Sequence, residues 1–161
     1  MKIFKCALSV ILICAVCCSL SSCNYIHKKL APYAGTAEKM RDSVMDGFTN
    51  QNIEVLKDLF CDEIKNTHDL DEEIQAAFEF IQGNIVSYDL SMYGPSGEEV
   101  RDGKVVLKDR SINVEKIITD LDNEYKICFG YYLVNDEHED RIGITFITIR
   151  DIKGNETMSI G

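Results

Sequence analysis

Residues 69–92, DLDEEIQAAFEFIQGNIVSYDLSM, hold the change of period that decides the fold. In the first half Leu70, Ile74, Ala77, Phe78 and Ile81 recur at three- and four-residue spacing, the stripe of an amphipathic helix. Asp69 stands three residues before Glu72, a capping-box spacing with Asp in place of Ser or Thr, and Asp71 and Glu73 suit the positive end of the helix. Gly83 is placed to stop it. From Asn84 the period becomes two. Val86, Tyr88, Leu90 and Met92 share one side of a strand, and Ser87, Asp89 and Ser91 share the other.

Upstream of this switch the pattern is helical throughout. Ala37, Met40, Val44 and Phe48 form one stripe, ending between Gly47 and Asn52. Ile53, Leu56, Leu59 and Phe60 form a shorter one, which Asn50 or Asn52 can cap. Downstream it alternates. A turn is expected at Gly94-Pro95-Ser96-Gly97, and strands at 99–107, 111–119, 125–134 and 141–150, with Asp/Asn-rich breaks at 120–123 and 135–140. Tyr125, Ile127, Phe129, Tyr131 and Leu133 share a face that Ile142, Ile144 and Phe146 can join. Helices first and then a meander without room for crossover helices predict an α+β domain, with three N-terminal helices packed on a curved antiparallel sheet.

The N-terminus carries a different message. Lys2 and Lys5, an apolar run over residues 6–16 and then small residues have the order of an export signal, and the run is too short for a bilayer crossing of about 20 residues. Leu20-Ser21-Ser22-Cys23 reads as a lipobox, so Cys23 is expected to be lipidated and to become the first residue after cleavage. Two acyl chains, at about 0.8 kcal/mol per buried CH₂, make a stable anchor. The expected organisation is a signal at 1–22, a lipidated tether at 23–35 and one domain at 36–161, held on the extracytoplasmic face of the cell membrane.

Charge and cysteine content change meaning once that segment is set aside. The 161-residue chain has 17 Lys+Arg and 27 Asp+Glu; losing Lys2 and Lys5 leaves 15 against 27, a net charge of −12. Such a balance argues against nucleic acid and against an electrostatic grip on anionic lipid. Cys6, Cys14, Cys17 and Cys18 leave with the signal, so the domain keeps Cys61 and Cys128, read as two small apolar side chains in preference to a disulfide. No Cys/His spacing supports zinc, and the acidic 135–140 segment lacks the spacing of a calcium loop, so no metal and no cofactor are expected.

On the long amphipathic helix, the segment Asn52-Ile53-Glu54-Val55-Leu56-Lys57-Asp58-Leu59-Phe60, the third helix and the hairpin strands, the chain resembles the nuclear transport factor 2-like, or cystatin-like, superfamily over roughly residues 36–151. The lipobox, Val55-Leu56-Lys57-Asp58-Leu59-Phe60 and Phe78-Glu79-Phe80-Ile81-Gln82-Gly83 resemble an uncharacterised family of small bacterial lipoproteins with that fold. The resemblance implies a cone between sheet and helices. It implies no chemistry, since the superfamily hosts isomerases, dehydratases and binding modules alike.

The residues themselves offer Tyr88, Phe129, Tyr131 and Phe146 as the lining of a candidate pocket, apolar with a few hydroxyls. No catalytic residue is assigned. Tyr88, Tyr93, Tyr131 and Asp89 are the pieces from which a carboxylate base and an oxyanion donor could be built, but no motif joins them. The expectation is a non-enzymatic module that binds a small apolar or amphipathic ligand or a protein partner, with a homodimer as a further form. The alternative is a cone-fold lyase or isomerase.

Overall fold

A computed structural model describes residues 36–161. The expected signal, Cys23 and the tether lie outside the described residues, as do the side chains of Leu90, Ser91 and Met92. The chain divides after Ala37 into two compact units, and of the first only Thr36 and Ala37 are described. The second, Glu38–Gly161, carries the elements that follow.

Helix α1 (Thr36–Thr49) buries Val44, Met45 and Phe48, positions spaced to face one side. Helix α2 (Ile53–Leu59) starts where Asn52 accepts a 3.1 Å bond from the Val55 N–H, a cap worth about 1 kcal/mol. After a short helix α3 (Asp62–Thr67), Asp69 caps α4 (Leu70–Phe80) by accepting from the Glu72 N–H at 3.2 Å. The neighbouring Glu73 carboxylate meets the His68 ring at 2.9 Å and accepts from the Gly161 N–H at 2.8 Å, so the helix start is tied to the chain end. The Phe48 and Phe78 rings meet edge to face, 5.9 Å apart, and join α1 to α4.

Five antiparallel strands follow in sequence order: β1 (Ile85–Arg101), β2 (Lys104–Thr119), β3 (Glu124–Asn135), β4 (Gly143–Asp151) and β5 (Thr157–Ile160). Their inner face carries Ile112, Val114, Ile127, Phe129, Ile147 and Ile149, all 0 % exposed. Tyr125 links this face to α4: its ring lies 6.1 Å from Phe80 and its hydroxyl accepts from the Gln82 N–H at 3.0 Å. No described helix is long and apolar enough to cross a membrane.

The α+β order with N-terminal helices matches the sequence pattern, and several details differ from it. Four helices, not three, are present among the described residues, because 62–67 closes one extra turn where Cys61 donates its N–H to Ile144 of β4 at 2.9 Å. Gly94-Pro95-Ser96-Gly97 is no turn. It sits inside β1, with the register broken between Tyr93 and Ser96 so that proline's missing N–H costs no ladder bond. The turn comes instead at Asp102 and Gly103, with φ of 50° and 75°, the left-handed pair a two-residue hairpin demands. The expected strand at 99–107 is therefore a hairpin tip, and β5 is a strand the pattern missed. Val86 and Tyr88 are exposed, at 62 % and 40 %, because β1 slips register twice between Ile85 and Asp89 and its alternation does not hold one face.

Phe146 and Ile142 are corrections of phase. Gly130 pairs with Phe146 but Tyr131 pairs with Ile144, a bulge that turns Ile144, Ile147 and Ile149 inward and Phe146 outward. A Cβ on Gly130 would stand 2.5 Å from Phe146 Cε1, so the ring covers the glycine on the outer face. Ile142, before β4 begins, is 46 % exposed.

Candidate functional site

Strand β2 changes character along its inner face. Val114 and Ile112 are core; the next inward positions are Arg110 and Lys108, the latter 5 % exposed. The Lys108 ammonium meets Glu98 of β1 at 2.5 Å, a charge pair that makes its burial tolerable. Arg110 stands between this pair and the apolar floor, with Ser96 of β1 on one side and Tyr131 of β3 on the other as direct cross-strand partners. Its guanidinium forms no hydrogen bond or ion pair among the described residues, and its Nε is buried without a partner.

Tyr131 closes the inner face at that end. It is 1 % exposed, its ring lies 6.1 Å from Phe129, and its hydroxyl has no hydrogen-bond partner among the described residues. Burial pushes its hydroxyl pKa up, against a lowering pull from Arg110. The Tyr93 hydroxyl donates to the Glu38 carboxylate at the start of α1. That bond holds Glu38 below the usual carboxylate range, with the Arg41 and Arg110 charges adding to the effect, and raises Tyr93 against the lowering pull of the same two arginines. Arg41 is paired with Asp42 at 2.6 Å. Arg110 is thus the cation whose field reaches Glu38, Tyr93 and Tyr131 together.

The arrangement is suited to accepting an oxygen and poorly suited to taking a proton. Two buried donors, Arg110 Nε–H and Tyr131 O–H, sit on adjacent strands beside an apolar floor. A general base must have its pKa near working pH, whereas Glu38 is held ionised and exposed. Asp89, the other carboxylate considered from sequence, faces solvent and pairs with Lys116 at 2.9 Å.

Of the four expected pocket residues, Phe129 and Tyr131 come together, while Tyr88 and Phe146 do not join them, being 40 % and 37 % exposed and displaced by the register slips above. Glu38, Lys108 and Arg110 were not anticipated. Lys108 and Arg110 occupy the same parity as Ile112 and Val114, so charges in phase with a core face were the available signal.

Other features are accounted for locally. Cys61 is buried and Cys128 partly so, both as free thiols; burial raises the Cys128 pKa. Cys128 lies on the outer face in a groove of about 270 Å³ with Lys126, Thr148, Arg150 and Thr157, where Glu115 meets Lys126 at 2.6 Å. In the acidic loop Asp136 pairs with Lys104 and Glu137 with Arg101, while Asn135 accepts from the His138 N–H at 3.0 Å. Among the described residues no three His, Cys, Asp or Glu side chains converge as a metal site requires.

No curated protein matches the chain. Residues 43–154, from the middle of α1 to the turn before β5 and including Lys108, Arg110 and Tyr131, match a family described as a domain of unknown function. The chain therefore belongs to the DUF5104 family.

Proposed function

We propose that this is a lipid-anchored extracytoplasmic protein whose nuclear transport factor 2-like domain holds a small ligand without transforming it. The lipobox ending at Cys23 supports the anchor, and helices followed by a sequential antiparallel sheet support the fold. The observation that carries ligand binding is the end of the inner sheet face, where Tyr131 Oη and Arg110 Nε are buried beside apolar side chains with nothing in the described chain to bond. Leaving such groups unpaired is costly, and binding sites are places where that cost is tolerated.

Native mass spectrometry of the intact protein, purified under mild conditions, tests the reading. A retained mass beyond the protein supports a ligand-holding site. A clean mass rejects it in favour of a protein partner on the sheet. The catalytic alternative, a lyase or isomerase using Tyr131 as oxyanion donor, needs a base that Glu38 does not supply, and a bell-shaped pH dependence of turnover would restore it. Cys23→Ser is expected to move the protein out of the membrane fraction; retention there would reject lipid anchoring.

A further inference from the structure

We infer that the ligand held at this site bears a monoanionic carboxylate, gripped between the guanidinium of Arg110 and the hydroxyl of Tyr131. The inference rests on the ligand-binding reading above and names the chemistry of what binds. Arg110 and Tyr131 are cross-strand partners in a regular stretch, since Ser111 pairs with Gly130 and Ile112 with Phe129 next to them. Their side chains therefore rise from the same face, with Cβ atoms roughly 5 Å apart. Both groups that lack partners there can donate, and Arg Nε–H can do nothing else. Two donors side by side specify an acceptor, and a carboxylate presents two oxygens at the spacing a guanidinium fork and a neighbouring hydroxyl can share.

Charge selects among acceptors. Around the site Lys108 pairs with Glu98 and Arg41 with Asp42, while Arg110 makes no direct ion pair among the described residues; the ionised Glu38 carboxylate, which its field reaches, is hydrogen-bonded to Tyr93 instead. Glu38 and the strongly acidic protein around it repel a bound anion, so a ligand with one negative charge is opposed less than a dianionic phosphate. Beyond the carboxylate, the exposed ring of Tyr93 favours an organic acid with a short apolar body over a fully polar one.

The test uses hexanoate, hexanamide and inorganic phosphate as probes, titrated into the intact protein after bound material has been removed by unfolding and refolding. Binding is read by calorimetry and by the NMR resonance of Arg110 Nε–H. Hexanoate is expected to bind at least about tenfold more tightly than hexanamide, to shift the Arg110 resonance, and to weaken about tenfold in Tyr131→Phe, the range for a hydrogen bond to a charged group. Arg110→Gln is expected to abolish the preference for hexanoate, and Arg110→Lys to restore part of it.

Equal binding of hexanoate and hexanamide overturns the carboxylate assignment, as does preference for phosphate or unchanged affinity in Tyr131→Phe. If no probe binds but mass spectrometry of the untreated protein shows a retained neutral molecule, the carboxylate inference fails and ligand binding stands. If no probe binds and the native mass is clean, both fail, and the two buried donors are met by water alone.

Discussion

Replacing Tyr131 by Phe removes one oxygen atom and is expected to stabilise the ligand-free protein. The ring stays 6.1 Å from Phe129, so the aromatic contact and the burial of carbon are kept. What is lost is a hydroxyl that is buried with no partner among the described residues, a situation that costs about 1–3 kcal/mol on the scale of protein substitutions. Against this stand the few dispersion contacts of the oxygen, at roughly 0.1–0.2 kcal/mol each, or about 0.5 kcal/mol together. The net gain is about 1–2 kcal/mol, which for a domain of this size raises Tm by roughly 3–6 °C. Tyr125 is the control. Its hydroxyl accepts from the Gln82 N–H at 3.0 Å, so Tyr125→Phe leaves a backbone donor wanting and is expected to lose about 1 kcal/mol. Urea and thermal unfolding of the two variants, with unchanged dependence on denaturant, should give opposite signs. A Tyr131→Phe protein destabilised as much as Tyr125→Phe would show that the Tyr131 hydroxyl is satisfied, and the argument for a ligand at that position would go with it.

Gly130→Ala is expected to lose about 1–2 kcal/mol, since the new methyl would stand 2.5 Å from the Phe146 ring; in urea melts, Phe146→Leu should recover part of the loss, and simple additivity of the two changes would contradict the contact. Iodoacetamide at neutral pH should modify Cys128 slowly, because burial raises its thiol pKa, and should spare Cys61, 1 % exposed, until the protein unfolds. Peptide mapping that found Cys61 labelled first would reverse that order. Asp120 has its pKa lowered, first by the Asn84 side-chain amide at 2.8 Å and then by the Asn84 backbone N–H, and Glu38 is lowered by Tyr93. A lowered carboxyl contributes stability above its unfolded value and loses it as pH falls through the folded one, so melts should weaken below about pH 4. Asp120→Asn should flatten that decline, and an unchanged acid limb would exclude Asp120 as a contributor.

Periodicity revealed α1, α2, α4 and the inward face of β3 from Tyr125 to Tyr131, where those elements keep one phase, whereas Leu133, expected on the same face, is the extra residue at a register break against β2 and is only half-buried. Asn52 and Asp69 cap their helices as their side chains suggest, and Tyr125, Ile127, Phe129 and Tyr131 are all buried. The pattern misled wherever a strand slips. Val86 and Tyr88 alternate correctly in sequence and still face water, since bulges in β1 rotate them; Phe146 is apolar and aromatic and still points outward, since one bulge beside Gly130 inverts β4. Bulges leave weak marks in sequence because they need only one residue with room to bend. The site was half legible for a related reason. Tyr131 is an ordinary member of an apolar stripe, but Lys108 and Arg110 look like the polar side of a strand unless Ile112 and Val114 are used to fix the parity.

Strand β1 lies at the rim of the sheet, hydrogen-bonded among the described residues to β2 alone, and its pairing is interrupted five times in 17 residues. A foreign strand that adds to a sheet must find a straight ladder of free amides and carbonyls in constant rhythm, and here the longest uninterrupted run is Ser96 to Glu99. With Pro95 removing one donor just before that run, the rim offers no template on which copies can stack, although Val86, Tyr88, Tyr93 and Val100 make it greasy. The same irregularity that hid β1 from its own sequence pattern thus keeps this rim from seeding fibres when many copies crowd together.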